Sequence, residues 1–179
     1  MQALTAPTTH LHWAMTKKLT LSLAGLTLLG SALAATYKNA ENGFSVTPPP
    51  AWTQLSVPGV AVAFADKPQG DFTPNLNVAV QPLPPGITLA QYHALSLDQV
   101  KKLITDSKII STRATTLGGA KAQETVYTGR QGQFKLYFIS TYAVTGGKAY
   151  LVTATTKQGL QAKMTPTNAA FVKSFKLLR

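Results

Sequence analysis

The chain has 179 residues, with 17 Lys+Arg against 6 Asp+Glu and no cysteine. The length suits one domain. The missing thiol excludes disulfide scaffolds, zinc–cysteine and iron–sulfur sites, thiol catalysis and a lipid-modified cysteine anchor. Only 13% of residues are charged, too few for an intrinsically disordered chain.

Residues 1–14 (MQALTAPTTHLHWA) read as neither leader nor domain, which makes Met15 the expected initiator. From Met15 the chain reads as a secretory signal. Lys17 and Lys18 give a positive start, Leu19 to Leu29 an apolar run, and Ala32-Leu33-Ala34 a small-residue cleavage site. The rival reading, an uncleaved anchor, needs roughly 20 apolar residues and a basic flank. The stretch from Leu19 to Ala35 is shorter and ends in small residues. A secreted or periplasmic protein is expected, with residues 35–179 as its single domain and no stable membrane span after cleavage behind Ala34.

The charge of that domain is lopsided. Residues 35–106 carry 4 basic and 5 acidic groups, whereas residues 107–179 carry 11 basic and 1 acidic. Such a skew reads either as a surface attracting anions (nucleic acid, anionic headgroups, acidic polysaccharide or an acidic protein) or as charge that simply keeps a basic exported protein soluble.

In chain order, Tyr37 to Glu41 and Phe44 to Val46 flank Asn42-Gly43, the dipeptide of a two-residue hairpin turn. Pro48-Pro49-Pro50 then stops any ladder, because proline has no N–H to donate. Val60 to Phe64 and Asn75 to Val80 alternate as short strands around a turn-rich loop, Asp66 to Asp71. Thr88 to Ile104 predicts a helix. Thr88 and Gln91 have capping-box spacing, and Leu89, Tyr92, Leu97, Val100, Leu103 and Ile104 form one stripe.

Four strand runs follow, Ile109 to Thr116, Ala120 to Thr128, Gln133 to Val144 and Lys148 to Thr156, separated by short glycine-bearing turns. Such connections predict an antiparallel meander. Phe134, Leu136, Phe138 and Tyr142 share one face of the third run, and Tyr137, Ile139 and Ala143 the other. A strand apolar on both faces is covered on both, and the two helices are the candidate covers. The last helix is expected from Thr165, with Pro166 at its first position and Phe171 and Phe175 on its docking face.

Gly43-Phe44-Ser45-Val46 followed by Pro50-Ala51-Trp52, the two short strands, a helix, a glycine-punctuated meander and a final helix ending in Ser174-Phe175 resemble the PsbP-like superfamily. That superfamily includes PsbP photosystem subunits, DcrB-type bacterial envelope proteins and a Ran-binding nuclear import factor. The resemblance spans residues 37 to 176. It implies an α+β fold, an α/β/α sandwich on a twisted antiparallel sheet with helices on both faces. It also implies a family that mostly binds proteins or stabilises assemblies, with Trp52 packing at one end of the core.

No catalytic constellation emerges. His93, the sole histidine after residue 34, lies on the apolar stripe between Leu89 and Leu97. A general base needs an orienting carboxylate and a nucleophile, so His93 reads as a half-buried side chain satisfied by backbone or a hydroxyl. One imidazole is no metal cluster, and Asp66 and Asp71 lack the ligand spacing of a calcium loop and read as solvated turn acids. No phosphate loop is present, and no cofactor is expected.

The positive half offers a candidate anion-facing surface in Arg113, Lys121, Arg130, Lys135, Lys148, Lys157 and Lys163. Lysines outnumber arginines, against bidentate phosphate readout, so nucleic acid is not the expected partner. The expected function is a non-enzymatic binding domain for a protein or anionic envelope component. The alternatives are a small-ligand carrier with a pocket between helix 88–104 and the sheet, and a hydrolase with a spatially assembled site.

Overall fold

Period-two alternation builds most of the chain into sheet. The computed structural model describes residues 35–178. The leader read in residues 15–34, its cleavage site and the segment before Met15 lie outside them. In chain order the strands are β1 (Tyr37–Asn39), β2 (Phe44–Val46), β3 (Thr53–Leu55), β4 (Val62–Ala65) and β5 (Asn75–Pro82), then helix α1 (Leu89–Leu103). There follow β6 (Thr105–Leu117), β7 (Ala120–Gln131), β8 (Phe134–Thr145), β9 (Lys148–Lys157), helix α2 (Gln161–Ser174) and β10 (Lys176–Leu177).

Seven strands form one antiparallel sheet in the order β3-β4-β5-β9-β8-β7-β6, and β1-β2-β10 form a second, small sheet. The central meander pairs in long registers, Ala122↔Ala143 to Gln131↔Phe134 and Leu136↔Lys157 to Thr145↔Lys148. These registers sort side chains onto two faces. Ile139 and Ala143 of β8 join Ala122, Val152 and Ala154 under Met164, Phe171 and Phe175, on the α2 side. Leu136 and Phe138 join Tyr127, Val100 and Ile104, and Tyr142 joins Tyr92, on the α1 side. The expected α/β/α sandwich is therefore formed, with one helix over each face of β8. Trp52, half-buried, packs against the α2-side core.

α1 starts where the sequence places it. The Thr88 side chain accepts from the Gln91 N–H at 3.2 Å, and Gln91 Oε1 accepts from the Thr88 N–H at 2.9 Å, so two orphan amides are satisfied reciprocally. Two expectations are corrected. The last helix begins at Gln161, so Pro166 stands inside it rather than at its first position. The Thr167 hydroxyl donates to the Lys163 carbonyl at 2.9 Å beside the proline. The first hairpin turns over four residues, since Tyr37 pairs with Val46 and Asn39 with Phe44. Gly43 alone in that turn has positive φ, while the Asn39 side chain accepts from the Asn42 N–H at 2.9 Å and shapes the loop.

The small sheet joins the first and last of the described strands. Lys176 pairs with Ser45 and Leu177 with Phe44, the Leu178 N–H donates to the Gly43 carbonyl at 2.8 Å, and Lys176 bridges Gly118 in parallel. Phe44 is fully buried, stacked on Phe175 at 5.4 Å between ring centres.

Candidate partner-binding surface

The one histidine among the described residues belongs to a buried hydroxyl network under α1. His93 Nδ1 shares a hydrogen bond with the Tyr142 hydroxyl, which also meets Thr125 Oγ1 at 3.1 Å and the Ser96 side chain. Alongside, the Tyr127 hydroxyl lies 3.4 Å from Ser140 Oγ, which lies 3.4 Å from Thr153 Oγ1. No carboxylate pairs with His93 among the described residues. The hydroxyl it meets sits on a fully buried tyrosine beneath the ring of Tyr92, 5.4 Å away. Aromatic side chains fill the junction between α1 and the sheet, and the network satisfies polar groups that burial would otherwise penalise.

Burial has a measurable consequence here. It pushes Tyr92, Tyr142 and Tyr150 above the ordinary phenol range and Tyr127 up to about 12. An unfolded chain releases these protons near pH 10. The native state keeps them longer, so its stability is full below pH 10 and falls as pH climbs through about 12. For Tyr127 the gap amounts to roughly 3 kcal/mol. Urea midpoints measured between pH 8 and pH 12 are expected to drop above 10, and Tyr127→Phe to remove part of that drop. A flat profile would show that these phenols are not held neutral.

The sequence-predicted cations separate by place. Lys157 donates to Asp71 at 3.0 Å and Lys163 to Asp66 at 2.9 Å, far from each other along the chain. Burial raises the Asp66 carboxyl, but the hydrogen bonds from Lys163 and the Lys67 amide outweigh it and leave Asp66 below its ordinary value. Those two lysines thus spend their charge on the turn acids. Lys121 pairs with Thr116 on the α1-side face, and Lys148 starts β9 opposite Thr145 at the hairpin end, on the α2 side but outside the β6–β7–β8 ribbon.

Arg113, Arg130 and Lys135 instead share the α2-side face of the β6–β7–β8 ribbon. Their partners across the ladder are Glu124, Lys135 and Arg130. Lys108 lies on the same face opposite Thr128, and α2 and its exit bring in Lys173 and Lys176. A cleft of about 640 Å³ is lined by Arg113, Glu124, Gly118, Val172, Lys173 and Lys176. Six cations thus meet two carboxylates on this face among the described residues: Glu124, 2.6 Å from Arg113, and Asp106, 3.7 Å from Arg130. The Glu124 hydrogen bond holds the Arg113 guanidinium above its ordinary value. A second cleft, of about 520 Å³ and mainly apolar, lies between Pro48-Pro49-Pro50 and Pro166, Ala170 and Phe171.

Sequence reasoning missed Lys108, Lys173 and Lys176. The strand irregularities between Thr105 and Ser111 disguise the parity of Lys108. The two others reach the ribbon only because α2 folds back along β9.

The PsbP family profile matches residues 32–177, and the chain belongs to that family. Among solved structures it is similar to cyanobacterial PsbP (CyanoP) from Synechocystis sp. PCC 6803, with a TM-score of 0.63 at 19% identity, covering 87% of this chain and 98% of that one. LpqN of Mycobacterium tuberculosis, described as involved in cell envelope biogenesis, superposes with a TM-score of 0.63 at 11% identity, covering 81% and 90%. PA94 of Pseudomonas aeruginosa, a putative regulator by its description, gives 0.54 at 16% identity, covering 74% and 88%. No curated protein matches the chain. Likenesses at such identity establish the fold.

Proposed function

We propose that this protein is an exported, non-catalytic binding module that holds an acidic protein or anionic envelope component against the α2-side face of the β6–β7–β8 ribbon. The observation that carries the reading is the local excess of charge there, six cations against two carboxylates among the described residues. Export rests on the signal read in residues 15–34. No helix of the described residues is long and apolar enough to cross a membrane. The fold of a family that mostly binds proteins, and the likeness to an envelope-biogenesis protein, support the same reading. A structural role for the α1-side network is supported by its lack, among the described residues, of a carboxylate paired with His93.

A local field is separable from net charge. On immobilised polyglutamate the triple reversal Lys108→Glu, Lys135→Glu and Lys173→Glu is expected to elute at markedly lower salt than the native protein. Reversing Lys38, Lys67 and Lys121, exposed elsewhere, makes the same change in net charge and is expected to shift elution less, because charges beyond about 8–10 Å are screened. Equal shifts for both triples would reduce the face to a share of overall charge and end the proposal.

A further inference from the structure

The sheet has two edges, and they are treated differently. One is β3, three residues long and entered from a run of prolines; shortness and proline are the usual guards of an edge. The other is β6, thirteen residues long. Its first half is guarded by Lys108 and by two register irregularities, between Thr105 and Lys108 and between Ile109 and Ser111. Its far end is covered where Leu117 is buried and Gly118 bridges Lys176. Between these, Ser111 to Thr116 runs in unbroken register against Val126 to Lys121, free of proline, and all but Thr115 are exposed. Alternate residues of such a segment turn their N–H and C=O groups outward.

We propose that Ser111–Thr116 is a docking edge to which an extended acidic segment of a partner polypeptide adds as an eighth strand. The inference rests on the reading of the basic face and says how a partner engages it. An added strand inherits the two faces of the sheet. Its side chains on the α2 side stand beside Ser111, Arg113 and Thr115, with Lys108, Lys173 and Lys176 nearby. Those on the other side stand beside Thr112, Ala114 and Thr116, uncharged and small or β-branched. The matching segment therefore alternates acidic with small or β-branched residues, the ladder giving affinity and the charge giving register.

A second copy of this chain fits less well. Antiparallel self-pairing of the whole segment, with the sheet faces continuous, sets Arg113 opposite Ser111, Arg113 or Thr115 of the other copy. Each register leaves the two guanidinium groups opposite or diagonal, and such like-charge pairs are destabilising.

The probe is a ten-residue peptide of alternating glutamate and threonine with blocked ends, offered to the full chain in low salt. Its control is the same peptide N-methylated at every residue, which keeps the charge and loses every ladder donor. The unmodified peptide is expected to bind at least tenfold more tightly than the control. It is also expected to slow hydrogen exchange at alternate amides of Ser111–Thr116, and to weaken with salt. Equal binding of both peptides overturns strand addition while leaving the basic face standing. Binding that is sensitive to methylation but indifferent to salt and to the Lys108, Lys135 and Lys173 reversals removes the acidic partner and, with it, the reading of the face. Failure of both peptides to bind, or a dimer that protects Ser111–Thr116 without peptide, also overturns the proposal.

Discussion

Gly129→Ala is expected to cost about 3 kcal/mol, the upper end of what an overpacked core site loses. Gly129 is buried in β7 under the end of α1, and a Cβ built there falls 2.1 Å from Ile104 Cγ2 and 3.1 Å from the Thr105 carbonyl oxygen. Its φ is not positive, so close approach, and no special backbone freedom, excludes a side chain. Ile104 is 2% exposed and anchors the exit of α1 on the sheet. Ile104→Ala alone leaves a cavity and is expected to cost about 2–5 kcal/mol. The double variant is expected to lose less than the sum by about 1–3 kcal/mol, because the shortened side chain makes room for the new methyl. Chemical denaturation of the four proteins reads this cycle directly. Strict additivity would mean that the two residues do not compete for the same space.

Phe44→Ala is expected to cost about 3–5 kcal/mol, the range of large buried aromatics. Phe44 has no exposed surface, stacks on Phe175 and leans on Tyr37 at 6.1 Å. It belongs to β2, yet its core is that of the large sheet, where Phe64, Leu76 and Phe171 lie. The ring is one of the links that make the two sheets one unit, beside Val46 and the bridge from Lys176 to Gly118. Loss is expected in a single cooperative transition seen alike by far-UV signal and by Trp52 fluorescence. Separate transitions by the two probes would show that the fold does not melt as one unit.

Local patterns were legible where the forces are local. The meander follows from alternation and glycine turns, and α1 from a stripe and a capping box whose hydrogen bonds close as the spacing requires. β8 announced its place between two helices by being apolar on both faces. Elements defined by their partners left no such mark. β3 is three residues paired only to β4, and β10 two residues paired to β2. Pro166 misplaced the start of α2, because proline at the head of a helix is cheap and the chain here accepts it a turn later. Asn42-Gly43 suggested the tightest turn, but the Asn39 side chain satisfies the loop and holds it open.

The candidate surface was half legible for the same reason. Arg113, Arg130 and Lys135 share a face through the registers of β6, β7 and β8, which alternation and turn length foreshadow. Nothing along the chain says that Lys157 and Lys163 answer Asp71 and Asp66, residues 86 and 97 positions away. Nor does it say that Lys173 crosses over to Arg113. Both are consequences of how α2 lies on the sheet.

The closure of the small sheet by the final strand bears on when this molecule is born. Thr47 and Ser174, bonded at 2.9 Å, are 127 residues apart. A polypeptide delivered amino end first, from a ribosome or through a translocation pore, therefore presents the hairpin of Phe44 long before its stacking partner arrives. Until Phe175 emerges, that ring has Tyr37 beside it but lacks the partner on which it stacks.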